Sequence, residues 1–423
     1  MSHTLLIDNI GELTTNDERL GSGFRSGSGS GAGAGAEASA NGRISDAAVV
    51  IEGDVVVWVG LASDAPAADT RFDAAGRAVL PGWVDSHTHM VFAGDRTAEF
   101  EARMAGETYA AGGINRTVEA TRLASDTELE ANLTRLIAEA RSGGTTIIET
   151  KTGYGLTTQD ELRSARIAAK HADAVTFLGA HVVPTGVDPQ TYLELVTGPM
   201  LAAVAPHVSA VDVFCEAGAF DETAARRVLE SAADAGLATR VHGNQLGHGP
   251  GVRLAVEYGS LSVDHVGFLS GADVDALAQS WGDGRRGTVA TVLPACDLST
   301  RMPLAPARQL IDAGAVVAIA SNCNPGTSFT TSMGFCVATA VLQMGLTVAE
   351  AVRAATLGGA RALSMHETGW IDPRGAKQPA VGMIRPGARA DLQLLEAPSV
   401  THLAYRPGVP LTSAVWRAGI RVR

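Results

Sequence analysis

The sequence predicts an α/β fold: a (β/α)8 barrel of TIM type with a small composite β-sandwich domain formed by both chain ends. Three observations predict it. Short β-branched runs alternate with longer amphipathic stretches from about residue 78 to 360, the pattern of parallel strands covered by helices. β-like runs stand at both extremes of the chain. Histidines and other polar residues gather at the carboxyl ends of the central runs, where barrels of this kind carry their active sites.

At the amino end, "HTLLIDNI" and "AAVVIEGDVVVWVG" read as strands around a Gly/Ser/Ala-rich segment, residues 21–42, whose composition predicts a flexible loop. No G-x-x-x-x-G-K-[ST] follows, so its glycines are not a phosphate cradle. "ADLQLLEA" and "SAVWRAGIRV" supply matching runs at the carboxyl end. Residues 1–77 with 373–423 are therefore expected to form the β domain, and residues 78–372 the barrel. Its eight strands are expected at Ala78 to Asp85, Thr145 to Glu149, Ala174 to Leu178, Ala210 to Phe214, Ala238 to His242, Leu261 to His265, Gly287 to Leu293 and Ala315 to Ala320. Helical patterns fit between them. "DTELEANLTRLIAEARSG", with an Asp cap and a closing Gly, is one, and "TQDELRSARIAAKHA" is another.

A chain of 423 residues can build a large core. Its formal charge of -12 and lack of any Lys/Arg cluster argue against nucleic acid or an anionic membrane as the main partner, and the acidity reads as ordinary solubility. Cys215, Cys296, Cys323 and Cys336 form no C-x-x-C pair, which fits a reducing cytoplasm. The start "MSHTLLIDNIGEL" has no basic segment before an apolar core, and no apolar stretch approaches the ~18 residues of a spanning helix. A homodimer is the commonest assembly for a soluble enzyme.

"PGWVDSHTHMVFAGDR", residues 81–96, places His87 and His89 two residues apart at the end of the first barrel strand, so both rings lie on one face. Neutral imidazoles so paired can form half of a metal site. The other strand ends add Glu149 and Tyr154, His181, His242, His265 and Asn322. Each alone is readable as a hydrogen-bonded core residue. Together they converge on one mouth.

These residues resemble the amidohydrolase superfamily of metal-dependent barrels. Within it, "HTHMVFAGDRTAEFEARMAGETY", "ETKTGYGL", "TFLGAHVVP", "DVFCEAGAF" and "NPGTSFTTSMGFCVA" are similar in order to the imidazolonepropionases, from about residue 79 to 364. The resemblance implies hydrolytic opening of the 4-imidazolone-5-propanoate ring to N-formimidoyl-L-glutamate, with one divalent ion, zinc or iron. It implies His87, His89 and His242 as metal ligands and His265 as the residue meeting the activated water. Arg96 corresponds to the arginine that grips the propionate. Tyr154, His181 and Gln245 correspond to substrate contacts, with Tyr109 as a neighbour, and Asn324, Gly326 and Thr327 to the loop that holds substrate. Arg96 could instead form a surface ion pair with Asp95 or Glu99. A two-metal relative offers a lysine at the end of the fourth strand; "DVFCEAG" has none, which favours one ion.

The pattern departs from the family in "AIASNCNPG", where Asn322 stands in place of an aspartate that ligates the metal and accepts the water's proton. An amide oxygen can ligate but is no base at neutral pH. Asn244 likewise stands where many relatives carry an acid. His265, with an ordinary pKa near 6.5, becomes the expected proton acceptor. Two other readings share these residues: another cyclic amidohydrolase or deaminase, separable by a substrate panel, and an inactive metal-binding relative, separable by metal content without turnover.

Overall fold

The computed structural model describes residues 3–21, 41–106, 113–282 and 286–423, which leaves most of the Gly/Ser-rich segment, and Tyr109, outside the described residues. Two eight-stranded sheets organise the rest. The first joins both chain ends. In spatial order it runs Ile420–Arg421, Thr412–Arg417, Leu392–Leu395, Ala78–Pro81, Thr4–Thr14, Arg43–Glu52 and Val55–Leu61, with Thr70–Asp73 also paired to Thr4–Thr14. Apolar side chains recur every second residue and meet in one cluster: Ala47, Val49 and Ile51; Leu392 and Leu394; Ala414 and Trp416. Ile7 and Ile10 join them across a β-bulge, where the left-handed Asn9 (φ 51°) restores the inward face.

The second sheet takes its strands in chain order, each parallel to the last: Trp83–Asp85, Thr145–Lys151, Ala174–Ala180, Ala210–Cys215, Ala238–Gly243, Ser262–His265, Val289–Val292 and Val317–Ile319. Two backbone bonds beyond the first and last strands join them at the mouth, from Asn322 N to His87 O and from His89 N to Cys323 O, each 2.9 Å. Asp85 accepts from the Ser321 hydroxyl at 2.5 Å and the Ser321 amide at 3.0 Å across the same seam.

One expected strand divides. Ala78–Pro81 pairs with Thr4–Thr14 and Leu392–Leu395 in the end sheet, and only Trp83–Asp85 enters the barrel. Gly82 is the hinge between them, and a Cβ there would stand 2.3 Å from the Thr146 side chain. The helix over Asp126–Ser142 is capped by Ser125 rather than by Asp126. Ser125 and Glu128 form a reciprocal capping box, and Asp126 lies in the first turn, where its charge complements the helix dipole. No described helix is long and apolar enough to cross a membrane.

Candidate active site

The first and fifth barrel strands bring three imidazoles together. His89 Nε2 lies 3.2 Å from His87 Nε2 and 3.4 Å from His242 Nε2, and all three side chains are buried. Asp264 accepts from His87 Nδ1 at 2.8 Å, which leaves His87 Nε2 a bare lone pair; Asp212 stands 3.1 Å from His242 Nδ1 and biases that ring the same way. Burial, then the nearby Lys151 charge, holds the His87 pKa down at about 3, so the ring is neutral. His87 and His242 thus aim lone pairs at His89 Nε2, which carries at most one proton to answer them, whereas a cation among the three satisfies every ring. A tetrahedral ion with nitrogen bonds of about 2.0–2.1 Å spaces its ligands about 3.3–3.4 Å apart, close to the spacing observed. The residues present fit a divalent metal ion.

The same pocket is walled by Arg96, Tyr154, His181, Gln245, His265, Asn322, Asn324 and Thr327. His181 commits Nδ1 to Gly153 O at 3.0 Å and stacks on His89, with ring centroids 5.6 Å apart. Gln245 is fixed from behind, because Glu216 accepts its amide and that of Leu246 at 2.8 and 2.9 Å. The chain turns through left-handed backbone at His265 and Asn322 (φ 81° and 53°), strain that re-aims side chains where the sixth and eighth strands end. Asn322 Oδ1 is buried without a hydrogen-bond partner, an orphan acceptor in the wall of the pocket.

Several expectations change at this level of detail. His265 is 3% exposed, and burial, then the His242 and His87 rings, pushes its pKa well below the ordinary 6.5. Its ring is held neutral, so no rise in rate through pH 6 to 7 is expected from it. Arg96 does pair with Glu99, at 2.8 and 2.5 Å, and its own side chain is buried while Glu99 is partly exposed, so the guanidinium lies beneath the surface; Asp95 turns away to accept from Thr97 N. Asn324 spends its amide within its own loop, donating to Asn322 O and Thr327 Oγ1 and accepting from the Gly326 and Thr327 amides. Gly326 lets the Arg96 guanidinium lie on that loop: a Cβ there would stand 2.1 Å from Arg96 Nη1. Asn244 donates to Phe268 O at 2.8 Å and is not part of the pocket wall, so an acid is not missing from the pocket there.

The sequence reading did not assemble a buried layer that lies beneath the histidines. Glu149, Lys151, Asp212, Arg240 and Asp264 have no solvent exposure. Glu149 braces the His-x-His backbone by accepting from Thr88 N at 3.1 Å. Arg240 donates to Ser86 O at 2.7 Å and to Asp264 at 3.1 Å. Burial raises the Asp212 and Asp264 pKa values, but His242 and Lys151 for the first, and Arg240 and His87 for the second, outweigh it and hold both low. The signal was present: ionisable residues two apart in otherwise apolar strands, as in "ETK" and "RVH".

A barrel with such a cluster at the carboxyl ends of its strands defines a metal-dependent hydrolase, and the amidohydrolase family model matches residues 78–416. An adenosine deaminase from Xanthomonas campestris with bound zinc superposes with a TM-score of 0.67 at 21% identity, over 99% of this chain and 92% of that one. A triazine hydrolase from Arthrobacter aurescens gives 0.71 at 16%, over 100% and 95%; both likenesses concern the fold. Imidazolonepropionases from Arthrobacter sp. strain FB24 and Saccharopolyspora erythraea are 65% and 62% identical, covering 90% and 99% of this chain and 95% and 98% of their own. That of Streptomyces coelicolor is 55% identical over the whole of both chains. The chain belongs to the amidohydrolase family and, within it, to the imidazolonepropionases.

Proposed function

We propose that the protein hydrolyses the 4-imidazolone-5-propanoate ring to N-formimidoyl-L-glutamate in histidine degradation. The observation that carries this reading is one pocket lined by His89, His242 and the buried Arg96, with His87 completing the imidazole cluster at its floor. His87, His89 and His242, with Asn322 Oδ1 as a further oxygen donor, would hold one divalent ion, zinc or iron, since imidazole nitrogen suits both. Such an ion lowers the pKa of a water toward ~7 and polarises a carbonyl. Arg96 receives the propionate, Tyr154, His181 and Gln245 orient the ring, and the loop of Asn324, Gly326 and Thr327 holds the guanidinium side of the pocket. His265, neutral, accepts a proton at a ring nitrogen. Four buried thiols with no disulfide support a reducing, cytoplasmic setting.

Turnover of freshly generated imidazolonepropionate, with elemental analysis of the same sample, tests the reading: one ion per chain and ring opening are expected. A metal-loaded protein without turnover overturns it. Arg96→Met should raise KM roughly 10- to 150-fold, the loss of ~1.5–3 kcal/mol of charge-assisted binding. An unchanged KM assigns the carboxylate to another residue.

A further inference from the structure

The buried layer contains a second group of ligand-type atoms, those of Asp212, His242 and Asp264, all within 4.8 Å of one another. On donor types alone this is a place for another cation. One is already there: Lys151 Nζ lies 2.9 Å from Asp212 Oδ2, 2.9 Å from Glu149 Oε1 and 3.9 Å from Asp264 Oδ2. An ammonium has three donors and no acceptor, and three carboxylates surround this one. Two of those carboxylates face the Nδ1 atoms of His87 and His242, so the lysine stands one residue removed from two of the three converging imidazoles. It does not line the pocket.

We propose that Lys151 is a positioning residue for the metal centre: its ammonium fills the place of a second ion between Asp212 and Asp264 and, through them, fixes the His242 and His87 rings with Nε2 turned toward the ion. The inference rests on the metal site proposed above. Lys151 comes from the second strand, so it serves from below the ligands and not as a bridging group at the end of the fourth. Without it, two unexposed carboxylates lose their shared cation, repel, and release the rings they orient. Partners of this kind typically change metal affinity ten- to hundredfold.

Lys151→Met alone leaves three buried carboxylates with only Arg240, a change that endangers folding in itself. The decisive variant is Lys151→Met with Glu149→Gln, which removes one charge of each sign and keeps an oxygen to accept from Thr88 N. It is compared with Glu149→Gln alone by chelator competition for cobalt(II) and by the visible spectrum of the cobalt-loaded protein. A roughly ten- to hundredfold loss of affinity with an altered spectrum, or uptake of a second ion, is the expected result. Affinity and spectrum matching Glu149→Gln overturn the proposal. So does a double variant that fails to fold while Glu149→Gln folds, because Lys151 then sustains the fold and not the metal site. Native protein that binds no cobalt instead refutes the metal reading itself, a separate outcome.

Discussion

The two sheets have the same number of strands and the same alternation of side chains, yet they bury opposite chemistry. In the end sheet the inward positions meet as Ile7, Ile10, Leu392, Leu394 and Trp416, an apolar cluster whose return is stability. In the barrel, the corresponding positions near the mouth carry Lys151, Asp212, Arg240 and Asp264 beneath a ring of histidines. Buried charge is tolerated there because each group faces an opposite charge, and because the histidines it orients have work to do. The comparison separates a core built to hold from one built to aim.

One kind of substitution should therefore have opposite outcomes in the two sheets. Ile10→Asp puts a carboxylate into a cluster with no counter-charge and removes a fully buried side chain. The cost should exceed about 5 kcal/mol, and the chain should fail to give a cooperative melting transition by circular dichroism. Asn322→Asp adds a carboxylate among three imidazoles and supplies both an anionic ligand and a proton acceptor. It should tighten metal binding in chelator competition and raise kcat, toward the roughly 10²- to 10⁴-fold that a positioned base contributes. An unchanged kcat would leave His265 as sufficient acceptor and erase the contrast at this position.

The smallest effect sharpens the comparison by pH. Asp297, in the helix Pro294–Thr300 after the seventh strand, is buried without a counter-ion partner in the barrel layer, and burial, opposed by a bond from the Ala305 amide, pushes its pKa up to about 7. A carboxyl raised in the folded state contributes its full stability below its unfolded pKa near 3.8 and loses it as pH rises through about 7. Asp297→Asn should thus match the native unfolding free energy near pH 4 and exceed it above pH 7 by roughly 1–3 kcal/mol, with a correspondingly higher melting temperature. A constant difference across that range would show that Asp297 is not the titrating group.

What the sequence made legible follows the same division. Alternation of runs located the barrel strands, because a parallel strand buried on both sides is a dense β-branched run bounded by turns. Motifs located His87, His89, His242, His265 and Arg96, because strand ends are where chemistry collects. The division of the run from Ala78 to Asp85 was hidden, since both halves are apolar and only Gly82 marks the change of sheet. Lys151 and Asp212 stand inside the quoted motifs, and Arg240 and Asp264 beside His242 and His265, but nothing local in the sequence says that the four meet in one buried layer. The pairing of Arg96 with Glu99 was open as an alternative, but the burial of Arg96 depends on the loop at Gly326, far away in sequence.

The seam between first and last strands gives the site a place in folding order. Asp85 and Ser321, which stitch it, are 236 residues apart, so the ligand backbone on one side waits for nearly the whole barrel to be laid down before it meets the other. A contact of such sequence separation forms late, after the loop between its ends has been closed by everything in between. The part of the pocket where Asn322 and Cys323 bond His87 and His89 is therefore a property of the finished barrel, absent from any amino-terminal fragment that stops before Ser321. A divalent ion shared by His87, His89 and Asn322, as proposed above, would favour the closed form alone and act as a clasp across that seam, so its removal should lower the melting temperature.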